Sequence, residues 1–124
     1  MTGVTIMASS VRFISISDNN SERTELFDTL SATGSTDPVR LQGKVKVQLS
    51  GSATSLTAIV EHATRDPGSA EANWAPADED PFTGDLSVGM SPRPYEDPAI
   101  GWWRVRVTAI GGGNCKISII GEKA

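Results

Sequence analysis

Few residues in this chain combine a type and a spacing that could do chemistry. His62 is the single histidine and Cys115 the single cysteine. Both lie in alternating apolar–polar runs, and neither run sets an acid, base or nucleophile beside them. His62 therefore reads as a neutral structural residue and Cys115 as a small buried hydrophobe. Asp78, Glu79, Asp80 and Asp85 supply hard oxygen atoms of the kind calcium prefers, but not at the spacing of an EF-hand loop. No metal and no other cofactor is expected. There is no Gly-x-Ser-x-Gly, phosphate-cradling loop or paired Cys/His set. Gly111 to Gly113 precede a strand pattern, so no helix N-terminus stands ready for phosphate. No catalytic residue is assigned, and the chain is expected not to be an enzyme. An enzyme would need a carboxylate pair of the glycosidase type, which no spacing here recommends.

Recognition is better provided for than catalysis. Trp102, Arg104 and Arg106 fall on one side of an alternating run, opposite Trp103, Val105, Val107 and Ala109. Tryptophan and arginine are the residue types that anchor contacts between proteins. Trp74 lies in a long connection, where its indole is expected to fold back onto a sheet edge or core. Tyr95 lies in a proline-rich stretch. Trp102, Arg104, Arg106, Trp74 and Tyr95 are therefore the candidate interface or ligand residues.

The elements that must hold these residues read as strands. Val45, Val47 and Leu49 share one face of a run whose other face is Lys44, Lys46, Gln48 and Ser50, the period of a half-buried strand. Turns at Gly34 to Pro38 and at Gly51-Ser52 bracket it. Val11 to Ser17 reads as a first strand, followed by a turn cluster at Asp18 to Ser21. Glu25 to Thr33 could place Leu26, Phe27 and Leu30 on a helical face, but its threonines and serine favour a strand. Ser55 to Ala63 is a strand with no clean face, as if covered on both sides. Gly84 to Met90 suggests a short strand. Met90 to Gly101 carries Pro92, Pro94 and Pro98 and is expected to stay outside any central ladder. Trp102 to Ile110 and Lys116 to Gly121 form the last two strands, reversed at Gly111 to Asn114, with Cys115, Ile117 and Ile119 inward. The expected fold is all-β, an antiparallel β-sandwich of jelly-roll-like or Ig-like type with about seven or eight strands and little helix.

Size and charge narrow the function classes. A chain of 124 residues supports one domain with one core. Residues 18–124 are assigned to that domain, and residues 1–17 to an N-terminal arm or edge strand that could dock. Net charge is −4. Between Glu61 and Pro98, nine carboxylates face only Arg65 and Arg93. Such a section repels phosphate backbones, so no nucleic-acid partner is expected. No apolar run is long enough for a membrane span, and Met1 to Ser10 lacks the pattern of a secretory signal. A lone cysteine fits synthesis in a reducing cytoplasm.

One further pattern is carried by the strands and turns together. It runs Gly34-Ser35-Thr36-Asp37-Pro38-Val39-Arg40-Leu41-Gln42-Gly43-Lys44, then Val47-Gln48-Leu49-Ser50-Gly51, then Val60-Glu61-His62-Ala63-Thr64-Arg65 with Trp74 beyond, then Trp103-Arg104-Val105-Arg106-Val107-Thr108. This series resembles small structural proteins of tailed bacteriophages and phage-like particles, over roughly Ala32 to Gly121. It departs from them with Ala63-Thr64 in place of Arg-Ser, and with a longer proline-rich acidic loop before Trp74. The resemblance implies a virion component made in the bacterial cytoplasm, a head decoration or spike subunit or else a tail or neck part. Its partners would be other copies of itself and other virion proteins. A carbohydrate-binding module for host-surface glycan, using Trp74, Trp102 and Tyr95, is the alternative.

Overall fold

The computed structural model describes residues 10–16 and 21–123. Its strands are β1 (Ser10–Ile16), β2 (Ser21–Leu30), β3 (Gly34–Ser35), β4 (Val39–Ser50), β5 (Ser55–Ala63), β6 (Ala75–Pro76), β7 (Phe82–Gly84), β8 (Arg93–Gly111) and β9 (Cys115–Lys123). All pairings are antiparallel, in the order β1-β2-β9-β4-β8-β5-β6, with β3 also on β8 and β7 also on β5. The fold is the all-β antiparallel sandwich that the alternation predicts. Its two layers are the halves of one continuous sheet curled round a single core. Of the predicted strand Glu25 to Thr33, Glu25 to Leu30 is strand, within β2, and Ser31 to Thr33 lie beyond its end. The predicted arm falls partly on residues 1–9 and 17, outside the described residues; its remainder, β1, pairs with β2 at the sheet edge.

The inner face is built by the period of two. Leu26 of β2, Ile117 and Ile119 of β9, Val45, Val47 and Leu49 of β4, and Val105 and Val107 of β8 are all buried. Leu26, Ile119 and Val47 form one cross-strand row, since Leu26 pairs with Ile119 and Ile119 with Val47. Burying each such side chain contributes about 1.5–3 kcal/mol relative to exposure. Phe82 and Leu86 close the core from the β5 side.

Curling requires the ladder to be interrupted, and β4 supplies the interruption. Between Gln42 and Val45, β9 advances only from Glu122 to Gly121; between Leu41 and Gly43, β8 advances from Gly101 to Asp97. So β4 carries two residues more than β9, and β8 two more than β4, at one level of the sheet. Gly43 sits there with φ +70°, a left-handed conformation that costs other residues roughly 1–2 kcal/mol. Gly121 lies opposite Val45, and a Cβ added to it would come within 3.1 Å of both Leu41 and Val45.

Three sequence expectations are corrected. Residues 93–101, expected outside any central ladder, are part of β8 and pair with β4. Among the described residues β4 takes one edge of this stretch and no strand takes the other, the setting in which proline costs a sheet least. Gly84 to Met90 is not a strand. After β7, Asp85 caps a 3₁₀ turn at Leu86–Val88, its carboxylate accepting from the Ser87 amide at 2.9 Å, and Gly89 ends the turn at φ +90°. Leu86 is buried while Val88 is 79% exposed, so the two do not share a face. Finally, Ala109 does not point inward. Thr57 pairs with Ala109 but Ala58 pairs with Val107, so Thr108 is an extra residue and the alternation flips. Ala109 is exposed, and Ile110 packs against the core.

The bend gives a direct test. Gly43→Val should lower unfolding stability by about 1–3 kcal/mol in a denaturant titration. Gly111→Ala, which meets no atom within 4 Å and has no positive φ, should change it by less than about 0.5 kcal/mol.

Candidate functional site

Of the residues singled out for recognition, Trp102, Arg104, Arg106 and Tyr95 lie on β8, on both of its faces, and Trp74 precedes β6. Alternation fixes which goes where. Trp103, opposite His62 and Val39, turns inward and is 2% exposed. Trp102, Arg104 and Arg106 turn to the outer face, as their spacing predicts, and each is half-buried.

The residue that organises this outer face is Glu61, which sequence reasoning left as one polar position of a mixed strand. It stands opposite Arg104 in the β5–β8 ladder. Arg104 Nε donates to Glu61 Oε1 at 2.8 Å, and Arg106 Nε donates to Glu61 Oε2 at 3.2 Å. The Glu61 side chain is 6% exposed, against 23% for Arg104 and 43% for Arg106. Trp74 completes the cluster. It immediately precedes β6, whose pairing with β5 (Glu61 with Pro76, His62 with Ala75) brings the indole over the sheet. The Arg104 guanidinium carbon lies 4.2 Å from the Trp74 ring centroid, a cation–π contact. A carboxylate at this depth is tolerable because two guanidinium groups neutralise it. The result is a fixed patch with one net positive charge, bordered by Trp102 and by Arg40, its cross-strand partner on β4.

Tyr95 is on the other side. It pairs with buried Val45, packs on the core and stands 5.6 Å centroid to centroid from Trp103, which in turn stands 5.4 Å from His62. The three rings make an inner aromatic row. The Tyr95 hydroxyl is buried with no hydrogen-bond partner among the described residues. Burial raises its pKa above the usual tyrosine value, the negative charge of Asp78 adding to that effect and Arg93 opposing it. His62 is therefore a packing residue. Cys115 is fully buried, and desolvation pushes its thiol up to about 11, the reverse of what a nucleophile requires.

The acidic segment is ordered by Arg93, a residue the sequence reading did not single out. Its guanidinium donates to the Asp80 and Pro81 carbonyl oxygens, stands 3.6 Å from Asp78 Oδ2 and lies 4.1 Å from the Phe82 ring centroid. Asp85 is engaged at the 3₁₀ turn. Asp78 and Asp85 thus have separate tasks, Glu79 and Asp80 are exposed, and among the described residues no three His, Cys, Asp or Glu are placed to share a metal ion. An open groove of about 730 Å³ crosses β4 and β8, lined by Arg23, Lys44, Lys46, Pro94, Tyr95 and Glu96 among others. A smaller hollow of about 210 Å³ lies beside His62, Trp103, Asn73 and Ile100. Among the described residues no helix is long and apolar enough to cross a membrane.

No protein-family profile matches the chain. No curated protein matches it either. Among solved structures, a cupin domain from Bordetella pertussis Tohama I is similar over 98% of this chain and 100% of its own, at 13% identity and a TM-score of 0.42. Drosophila melanogaster CENP-C, crystallised bound to CAL1, is similar over 94% of this chain and 85% of its own, at 11% identity and a TM-score of 0.35. These are loose likenesses of shape, and no ligand or partner is carried over from them.

Two outcomes follow from the site. Glu61→Leu would leave two guanidinium groups facing an apolar side chain, and should lower stability by about 1–3 kcal/mol. A double-mutant cycle with Arg104→Met should show that the two substitutions are not additive. For Cys115, the unfolded thiol ionises near its ordinary value of 9.0, whereas the folded one stays protonated to about 11. The folded state then holds a proton that the unfolded state has lost. The thiol's contribution is fully present below pH 9 and is lost as pH rises through about 11. Removing it with Cys115→Ala should flatten the alkaline decline in melting temperature across that window.

Proposed function

We propose that this protein is a non-enzymatic virion structural subunit of a tailed bacteriophage or phage-like particle, in first place a head decoration or spike protein. A tail or neck position calls on the same chemistry. The observation that carries this reading is the pre-ordered Trp–Arg–Glu patch on the outer face of β8. A surface fixed before its partner arrives loses little conformational entropy on docking, so more of each contact appears as affinity. On a symmetric particle, repetition then multiplies a modest contact.

The residues that carry the phage-protein resemblance support the same reading, because they serve the scaffold. Thr36 is buried and clasps β8, its amide donating to Val105 O at 3.0 Å and its hydroxyl accepting from the Val105 amide at 3.2 Å. The Ser50-Gly51 end of β4 meets the last hairpin, where the Ser52 and Ala53 amides donate to Asn114 O at 3.1 and 2.9 Å. Such motifs specify a rigid frame and leave its outer face available.

Glycan binding is the weaker use of these aromatics. Stacking a sugar needs a free ring face. Tyr95 turns inward, and Arg104 occupies one face of Trp74. Trp102 remains.

Mass spectrometry of purified particles from the strain that carries the gene should find this chain in stoichiometric, repeated copy number; its absence from such particles ends the reading. Trp102→Ala should weaken assembly at least tenfold while shifting the melting temperature by only a few degrees. A tryptophan-fluorescence response to a glycan panel, with no self-association in sedimentation, would favour the carbohydrate-binding module instead.

A further inference from the structure

Two patches of opposite charge lie on different surfaces of this molecule. The outer face around Trp102 carries Arg40, Arg104 and Arg106, and among the described residues Glu61 is the carboxylate bonded among them. Arg40 is exposed and enters no ion pair among the described residues. The acidic counterpart is the tip of the loop between β6 and β7. There Glu79 and Asp80 are exposed, and neither side chain has an ion-pair partner among the described residues. This tip is held rigidly. Arg93 binds the carbonyl oxygens of Asp80 and Pro81, pairs with Asp78 and stacks on Phe82, which is itself in the core. One arginine thus fixes the backbone of the loop while Glu79 and Asp80 are left to project.

Within one chain, no ion pair among the described residues joins tip to face, because the face lies on the outside of β8 whereas the tip is tied to the inner-face residue Phe82. Two rigid, complementary surfaces that do not meet in one copy can meet between copies. We propose that the Glu79–Asp80 tip of one subunit docks on the Arg40–Trp102–Arg104–Arg106 face of the next, in a head-to-tail contact between copies of this chain. The contact is heterologous, so repeating it generates a ring or an open filament rather than a two-fold dimer. Trp102 supplies the desolvated centre, and the arginines supply steering and register. The inference rests on the reading of the chain as a self-assembling subunit and names the surfaces that assemble.

Sedimentation velocity of the purified chain over a range of concentrations tests it. At low salt the wild-type chain should form concentration-dependent oligomers. At about 1 M salt, where the screening length falls to about 3 Å, they should dissociate. Arg40→Glu, a change at an exposed side chain with no ion-pair partner among the described residues, should weaken association about tenfold. The double variant Glu79→Lys/Asp80→Lys should do the same from the other side. Circular dichroism should show both variants folded. Mixing the two should restore hetero-complexes, because the intact tip of the first meets the intact face of the second. A chain that stays monomeric at low salt, or oligomers indifferent to both variants, would overturn this contact. Neither result touches the virion reading, which stands or falls on the presence of the chain in purified particles.

Discussion

The bend in β4 at Gly43 is the constraint on which the rest of the molecule depends. β4 is laddered on both sides, to β9 and to β8, so any change in its direction is imposed on both neighbours. A flat sheet of these strands could not wrap its apolar face. The two extra residues of β4 against β9, and of β8 against β4, lengthen the path step by step across the sheet and coil it. Gly43 makes this possible by adopting φ +70°, and Gly121 by letting Leu41 and Val45 close over its Cα. Once the sheet is coiled, leucines, valines and isoleucines from β2, β4, β5, β8 and β9 reach one another and form a single core.

Coiling also decides what the outer face can do. With the apolar side chains taken inward, the outside of β8 and β5 would be an ordinary polar surface. Trp74 changes that. Returning from the long connection, it covers Arg104, one of the two guanidinium groups that hold the Glu61 carboxylate. Charges in such a cluster are stabilised only as a set, because each member left alone would face the cost of desolvation. The patch is therefore rigid where most charged surfaces are mobile. Arg93 plays the matching part on the acidic loop, holding carbonyl oxygens rather than carboxylates alone, so that chain geometry as well as charge is fixed.

The sequence predicted the strands well: β1, β5 and β9 lie within a few residues of where alternation places them, β2 near where its threonines favour a strand, and the inward set of Cys115, Ile117 and Ile119 is as expected. The outward set of Trp102, Arg104 and Arg106, and the return of Trp74 to the sheet, were also legible. The bend was not. An insertion of two residues leaves parity unchanged, so Leu41 and Val45 both point inward across it and the pattern reports nothing. At Thr108 the insertion is a single residue, parity flips, and Ala109 and Ile110 exchange sides. Pro94 and Pro98 argued against a ladder because a sequence does not say which edge of a strand is left unpaired.

The periodicity that each strand carries locally sets the faces: which side chains go inward and which outward. Which residues of a face become neighbours is settled only once the sheet is assembled. Glu61 lies 43 residues from Arg104, and Tyr95 shares an aromatic row with His62 and Trp103. Cross-strand register brings such residues together, and register is set by bulges and by the packing of the whole sheet. No local pattern in the chain encodes it.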